Sequence, residues 1–494
     1  MSRTLAAVDL GAQSGRVAVG RFDGDRLAIE EVHRFANVPV ENDGVLEWDA
    51  ARLRKDVEEG LRRAGRDAEI DSLAVDSWAV DFGLLDAAGR LIRNPVHYRD
   101  RRRLAAVDAV LERIPARELY ERTAIQLLPI NTIFELAAMV TEGDGALAEA
   151  RRLLMIPDLF HHWLCGSETT ELTNASTTQC YDPHRGEWAL DLLERLGVPA
   201  GILPDVVSPG TRLGAVGGPE TGVEGAAVVA TATHDTGAAV AGAPLTGERS
   251  VYLSVGTWSL VGIESDAPTV TDAAYSANLT NESGVDGTFR TLRNITGLWL
   301  LHECRRAWSE AGRDYDFREL VELARSAPAR GSLIDANATS FVEPGDMPQR
   351  IARYCAETGQ DVPRDDGAFV RCILESIALK HAESVELLAR VTGRELEHLH
   401  VLGGGANNDL LCAWTAQAAQ RPVIAGPVEA TLVGNLLVQA LALGEISSLA
   451  EGREVVRRSF VLDTYEPTVD SRWDEARSRF AALSGAGSDL EMCA

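Results

Sequence analysis

Lysine is almost absent from this chain. Its 494 residues hold two, Lys55 and Lys380. Lys55 sits in "AARLRKDVEEGLRR" and Lys380 in "CILESIALKHAESVELLARV". Both stretches have helical periodicity, which places both lysines on helix surfaces. No GK[ST] is present, so a P-loop is excluded, and the VAIK lysine of protein kinases has no candidate. If the chain handles ATP, it holds the phosphates without lysine. Positive charge is short overall: the formal net charge is −26, which argues against nucleic acid and anionic membranes as partners. A small anionic ligand stays possible, because backbone N–H groups and a metal ion make a site locally positive. The seven cysteines form no CxxC pair, which excludes zinc ribbons and thioredoxin-type motifs. No uncharged apolar run reaches the ~18 residues of a membrane helix. The start "MSRTLAAVDLGAQSG" enters a strand-like run with no small-residue cleavage site. A cytoplasmic protein is expected.

What is present reads as mixed α/β. At 494 residues and 45% hydrophobic content, two large domains are expected. The pattern breaks at "GAPLTGERS", which predicts domains over 1–244 and 245–482. The tail, 483–494, is expected to be disordered. "TLAAVDLGAQSGRVAVGRFDG" reads as strand, glycine turn, strand, and "RSVYLSVGTWSLVGIES" repeats that design about half a chain later, which suggests a duplicated domain. "IDSLAVDSWAVDFGLLDAAG" is strand-like. "NTIFELAAMV", "LDLLERLG", "NITGLWLLHECRRAWSEAG" and "EATLVGNLLVQALALGEI" read as helices. "LEHLHVLGGGANNDLLCAWTAQAAQ" reads as strand, triple-glycine turn, helix. The adjacent His161 and His162 of "FHHWL" have no chelating geometry and are read as surface or core residues.

Several stretches point to phosphate chemistry. "VDLGAQSGR" puts Asp9 at a strand end before small residues. N–H groups in such a turn surround a phosphate, and the carboxylate holds Mg²⁺ through water rather than touching phosphate. Arg16 adds a positive group; a plain hairpin with an Asp in its turn is the alternative. Thr257 of "SVGTWSL" offers a hydroxyl and nearby N–H groups at the second hairpin tip. Gly403, Gly404 and Gly405 let backbone approach a ligand closely. Their spacing is not GxGxxG, so an adenosine or α-phosphate contact fits better than a dinucleotide. In "VVATATHDTGAAVAGAPL", His234 and Asp235 interrupt an uncharged run. Asp235 or Thr233 is a candidate helix cap, and Asp235 is equally a candidate base for hydroxyl attack. The side chains that follow are small, so something packs closely there.

Taken in order, these motifs resemble the FGGY carbohydrate kinases, a branch of the actin/hexokinase/Hsp70 ATPase fold. The resemblance rests on "VDLGAQSGR", "VDSWAVDFGLLD", "PVHYRDRR", "IPDLFHHWLCG", "TNASTTQ", "HDTGAAV", "SVGTWSLVGIE", "NITGLWLL" and "GGGANN", spread over most of the chain. It implies two actin-like (ribonuclease H-like) lobes with a ligand cleft between them. It also implies transfer of the γ-phosphate of ATP, carried with Mg²⁺, to a sugar hydroxyl. In the branch with the closest motifs that is the 1-hydroxyl of L-rhamnulose; L-fuculose and xylulose are the alternatives. On the resemblance Asp235 is the base, and Ala79, His234, Thr236 and Asn294 face the sugar with it. Ala12, Gln13, Ser14, Gly15, Arg16, Thr257, His302 and Gly404 face ATP. Two positions depart from the family pattern: Ala79 replaces a glycine and His302 a glutamine. The resemblance also pairs Cys355 with Cys372. ATP and a small sugar are the implied partners, for a monomer or small homo-oligomer. A non-catalytic actin-like ATPase would keep both hairpins but would not need the "HDT" acid.

Overall fold

The computed structural model describes residues 2–329 and 331–484; the expectation for 483–494 lies almost wholly outside them. Two sheets organise the chain. The first runs, edge to edge, Thr211–Ala215, Ala227–Ala230, Ser72–Ser77, Arg3–Leu10, Ser14–Phe22 and Leu27–Ala36. The second runs Thr280–Ser283, Phe289–Thr296, Trp258–Ser265, Ser250–Val255, His398–Leu402, Val423–Ala425 and Asp463–Tyr465. Each sheet contains three adjacent antiparallel strands, and the first of them in the chain pairs in parallel with a strand from further along. This is the duplicated α/β design expected from the two hairpins, and it makes two actin-like lobes.

The strand Arg3–Leu10 has Ala6–Leu10 without an exposed residue because both its faces are covered. On one face, Ala6, Val8 and Leu10 pack with Leu53, Val57 and Leu61 of the helix Ala50–Asp67. On the other, Leu5 and Ala7 pack with Leu432, Leu436 and Leu437 of the helix Ala430–Leu443. That helix is late in sequence yet lies on the first sheet.

It also crosses the short helix Asp235–Ala241. The crossing is close because both sides are bare: a methyl group on Gly434 would sit on the Ala238 carbonyl, and one on Gly242 would meet the Ala430 carbonyl. The small residues after Asp235 thus permit backbone contact between the two connecting helices.

Two sequence expectations are corrected. "NITGLWLLHECRRAWSEAG" is not one helix: Asn294 lies on the strand Phe289–Thr296, and the helix begins at Trp299. Gly297 separates them, and a side chain there would run into the Gly256 and Trp258 backbone. Lys380 is not on a helix surface. Its helix, Asp366–Thr392, is covered on several sides, and the lysine is 1% exposed. Asp335 at 3.5 Å and Glu383 at 3.3 Å balance its charge, as a buried ammonium requires. Lys55 is exposed as expected.

Candidate active site

Strand ends carry the acids. Asp9 is at the end of Arg3–Leu10, and its parallel neighbour in the register is Asp76 of Ser72–Ser77. Asp9 pairs across the hairpin with Arg16, whose Nε and Nη2 both approach Asp9 Oδ2, at 2.8 and 2.7 Å. Arg16 also reaches Glu429, just before the second connecting helix. The guanidinium pKa lies above its ordinary value: burial opposes the charge, but Asp9 and Glu429 outweigh it. The turn between the strands is closed by Gly11 N–H donating to Ser14 O at 3.0 Å and by Asn37 Nδ2 donating to Gly11 O at 3.0 Å. Gln13 is exposed, Ala12 and Ser14 are half-buried, and Gly15 is packed under the Phe35 ring.

Asp235 faces the same place from the other direction. Thr233 O accepts from Ser77 N–H at 2.9 Å, and His234 bridges to Ser77. Asp235 is the first residue of its helix, with His234 at the cap position and no side-chain capping bond. The capping alternative for Asp235 and Thr233 is therefore overturned: Thr233 is instead fastened to buried Glu171, whose Oε2 accepts from its N–H at 2.8 Å and its Oγ1 at 2.9 Å. The Asp235 side chain is 31% exposed. Its Oδ1 accepts from Thr236 N–H at 2.5 Å and Thr236 Oγ1 at 3.2 Å. Desolvation raises the Asp235 pKa, the His234 ring pulls it down, and Asp9 pushes it up. Asp76 is fully buried, and its pKa is well above the carboxylate range through burial and the nearby Asp9 and Asp235.

The sugar-facing candidates fall on both lobes. Ala79 is half-buried in the loop after Ser72–Ser77. That loop is held by Trp78 N–H donating to Leu10 O at 3.1 Å and by Thr132 Oγ1 donating to Val80 O at 2.7 Å. Beneath it, buried Asp81 accepts from Trp48 Nε1 at 2.7 Å and Trp78 Nε1 at 2.9 Å, with Arg103 alongside. Asn294 lines a small cavity with Trp258 and Gln126. A larger, mostly apolar chamber of about 280 Å³ lies between the lobes, lined by Tyr98, Arg99 and Leu128 from one side and Thr257, Trp258 and Trp299 from the other.

On the second lobe, Thr257 is half-buried at its hairpin tip. The three glycines form a single turn after His398–Leu402. Gly403 has a φ of +74°, Gly405 is packed on Val255, and Gly404 has no atom within 4 Å of where a side chain would start. Gly404 is thus the glycine open to a ligand. His302 is half-buried against Phe317, ring centroids 5.2 Å apart, and burial lowers its pKa; no contact joins it to the acids. His161 is buried and His162 is half-buried.

Asp76, Asn435, Glu282 and Arg290 belong to this centre and were not singled out from the sequence. For Asp76 a signal existed: "AVDS" ends a strand on an acid as "AVDL" does. Among the described residues no group of three or more His, Cys, Asp or Glu side chains is placed to hold a metal directly. Arg16 engages Asp9 through Oδ2.

Family models for the N-terminal and C-terminal domains of the FGGY family of carbohydrate kinases match residues 4–242 and 251–443. A rhamnulokinase from Bacteroides thetaiotaomicron is 41% identical over 97% of this chain and 99% of its own. One from Pectobacterium carotovorum is 42% identical over 98% of this chain and 97% of its own. Among solved structures, gluconate kinase from Lactobacillus acidophilus superposes with a TM-score of 0.81 at 17% identity, covering 99% of both chains. Xylulose kinase from the same organism gives 0.81 at 16% over 98% of both. These structures show the shared fold. No helix among the described residues is long and apolar enough to cross a membrane.

Proposed function

The chain belongs to the FGGY family of carbohydrate kinases, and from that premise we propose that it transfers the γ-phosphate of ATP to the 1-hydroxyl of L-rhamnulose. The observation that carries the choice of sugar is the 41–42% identity to rhamnulokinases over nearly the whole length of both chains. The geometry supports the chemistry. Phosphoryl transfer needs charge neutralisation, in-line positioning and a group to accept the hydroxyl proton.

Asp235 is the base in this reading. Its Oδ1 is engaged by Thr236, which orients the carboxylate and leaves Oδ2 for the sugar hydroxyl. Its raised pKa makes it a stronger base than an exposed aspartate. Ala79, His234, Thr236 and Asn294 line the sugar side. The turn from Ala12 to Arg16, Thr257, His302 and Gly404 faces the nucleotide. Asp9 would hold Mg²⁺ through water, and the ion would screen the phosphate charge. Arg16 keeps Asp9 oriented, so two acids side by side do not leave the phosphate pocket with unbalanced negative charge.

The test is ADP release with a sugar panel. L-rhamnulose should give the highest kcat/KM, and ATP turnover should rise only when sugar is present. A preference for L-fuculose or xylulose would replace the substrate. Sugar-independent hydrolysis would favour a non-catalytic actin-like ATPase.

A further inference from the structure

We propose that Arg290 is a positioning residue that fixes His234 as its Nε2–H tautomer, so that the imidazole turns an N–H rather than a lone pair toward Asp235 Oδ1. Arg290 lies on Phe289–Thr296 in the second sheet and is fully buried. Its Nη2 is 3.1 Å from His234 Nδ1. A guanidinium has donors and no acceptor, so Nδ1 must present a lone pair. The proton of a neutral ring then sits on Nε2, and Nε2 lies 3.4 Å from Asp235 Oδ1.

Two donors hold one carboxylate oxygen, Thr236 N–H and Thr236 Oγ1–H, and His234 Nε2–H faces the same oxygen from 3.4 Å. Glu282 supplies the counter-charge, its Oε2 3.0 Å from Arg290 Nη2 and 3.2 Å from His234 Nδ1. That oxygen makes no well-formed hydrogen bond with either. The opposite tautomer, Nδ1–H donating to Glu282, would set two donors face to face at 3.1 Å. It would also aim the Nε2 lone pair at the Asp235 carboxylate. Because His234 is bridged to the first sheet through Ser77, the second lobe sets the hydrogen bonding of an acid anchored on the first.

The catalytic consequence rests on Asp235 being the base; the tautomer does not. The direct test is nitrogen NMR of the full chain labelled with ¹⁵N-histidine at neutral pH, the His234 signals being assigned by their loss in His234→Gln. A protonated Nε2 with a bare Nδ1 is expected. An Nδ1–H tautomer or a doubly protonated ring would overturn the proposal. Two paired variants carry the functional arm, both removing the Glu282 charge. Arg290→Gln with Glu282→Gln keeps an amide donor for Nδ1 and should keep the Nε2–H signature and most of the turnover. Arg290→Leu with Glu282→Gln removes the donor; kcat should fall roughly 10- to 100-fold, as for a misoriented catalytic group, with the KM for ATP unchanged. Equal turnover in the two pairs would refute the positioning role. If no sugar is phosphorylated by the wild type, the kinase reading fails while the NMR result still decides the tautomer.

Discussion

Asn435 Nδ2 donates to Asp76 Oδ2 at 2.6 Å, across 359 positions of sequence. The bond ties the second connecting helix to the strand beside the candidate nucleotide site. Asp76 is fully buried and its Oδ1 has no partner. Asn435→Leu should therefore cost about 1–3 kcal/mol, the penalty for a buried polar group left alone. Asp76→Leu should cost a similar amount, and the double variant less than the sum. Denaturant unfolding of the four proteins measures the coupling; additive costs would show that the bond contributes nothing.

His400 predicts an acid limb in stability. Burial pushes its pKa down to about 3, and neither ring nitrogen has a hydrogen-bond partner. The folded pKa lies below the unfolded value of about 6.5. Above that value the ring is neutral in both states. As pH falls below it, the unfolded chain takes a proton first, so stability is lost at up to about 1.4 kcal/mol per pH unit. His400→Leu should remove this share and be neutral or stabilising at pH 7. Unfolding curves at pH 5 and pH 7 check it. His97, pushed down to about 4, adds to the same limb.

Cys355 and Cys372 are buried free thiols on the helices Met347–Glu357 and Asp366–Thr392. Interaction between the two thiols lowers the Cys355 pKa and raises that of Cys372. The two are not bridged in this structure. Thiol titration of denatured protein prepared without reductant should find all seven cysteines free. Five would mean that one pair had oxidised.

The crossing at Gly434 gives a mechanical test. Gly434→Ala pushes a methyl into the Ala238 carbonyl, so the helices must separate. Overpacking of this kind costs about 1–3 kcal/mol, and Asp235 heads the displaced helix. A lower Tm with reduced kcat is expected. A lower Tm with unchanged kcat would separate the crossing from the placement of Asp235.

Legibility from sequence followed the range of the interaction. The Asp9–Arg16 hairpin, the Gly403–Gly405 turn and the helix after His234 declare themselves within a few residues, and they fold as read. Asn294 and Ala79 carried no local signal and were reached through family resemblance. Asp76, Asn435, Glu282 and Arg290 take their meaning from partners far along the chain or in the other lobe. Lys380 was misplaced for a related reason: helical periodicity reports one apolar face, whereas this helix is covered on several. Asp81 had no reading from sequence either, because its role as anchor of the Ala79 loop comes from Trp48, Trp78 and Arg103.

The central claim is that Asp235 takes the proton of the sugar hydroxyl. Asp235→Asn keeps the side-chain shape and an oxygen for the Thr236 donors but loses basicity. The measurement is sugar-dependent ADP release by the wild type and this variant, with Tm and ATP affinity recorded alongside. The account predicts turnover with L-rhamnulose lower by about two or more orders of magnitude, with Tm and ATP binding close to the wild type. Near wild-type turnover by Asp235→Asn would contradict it.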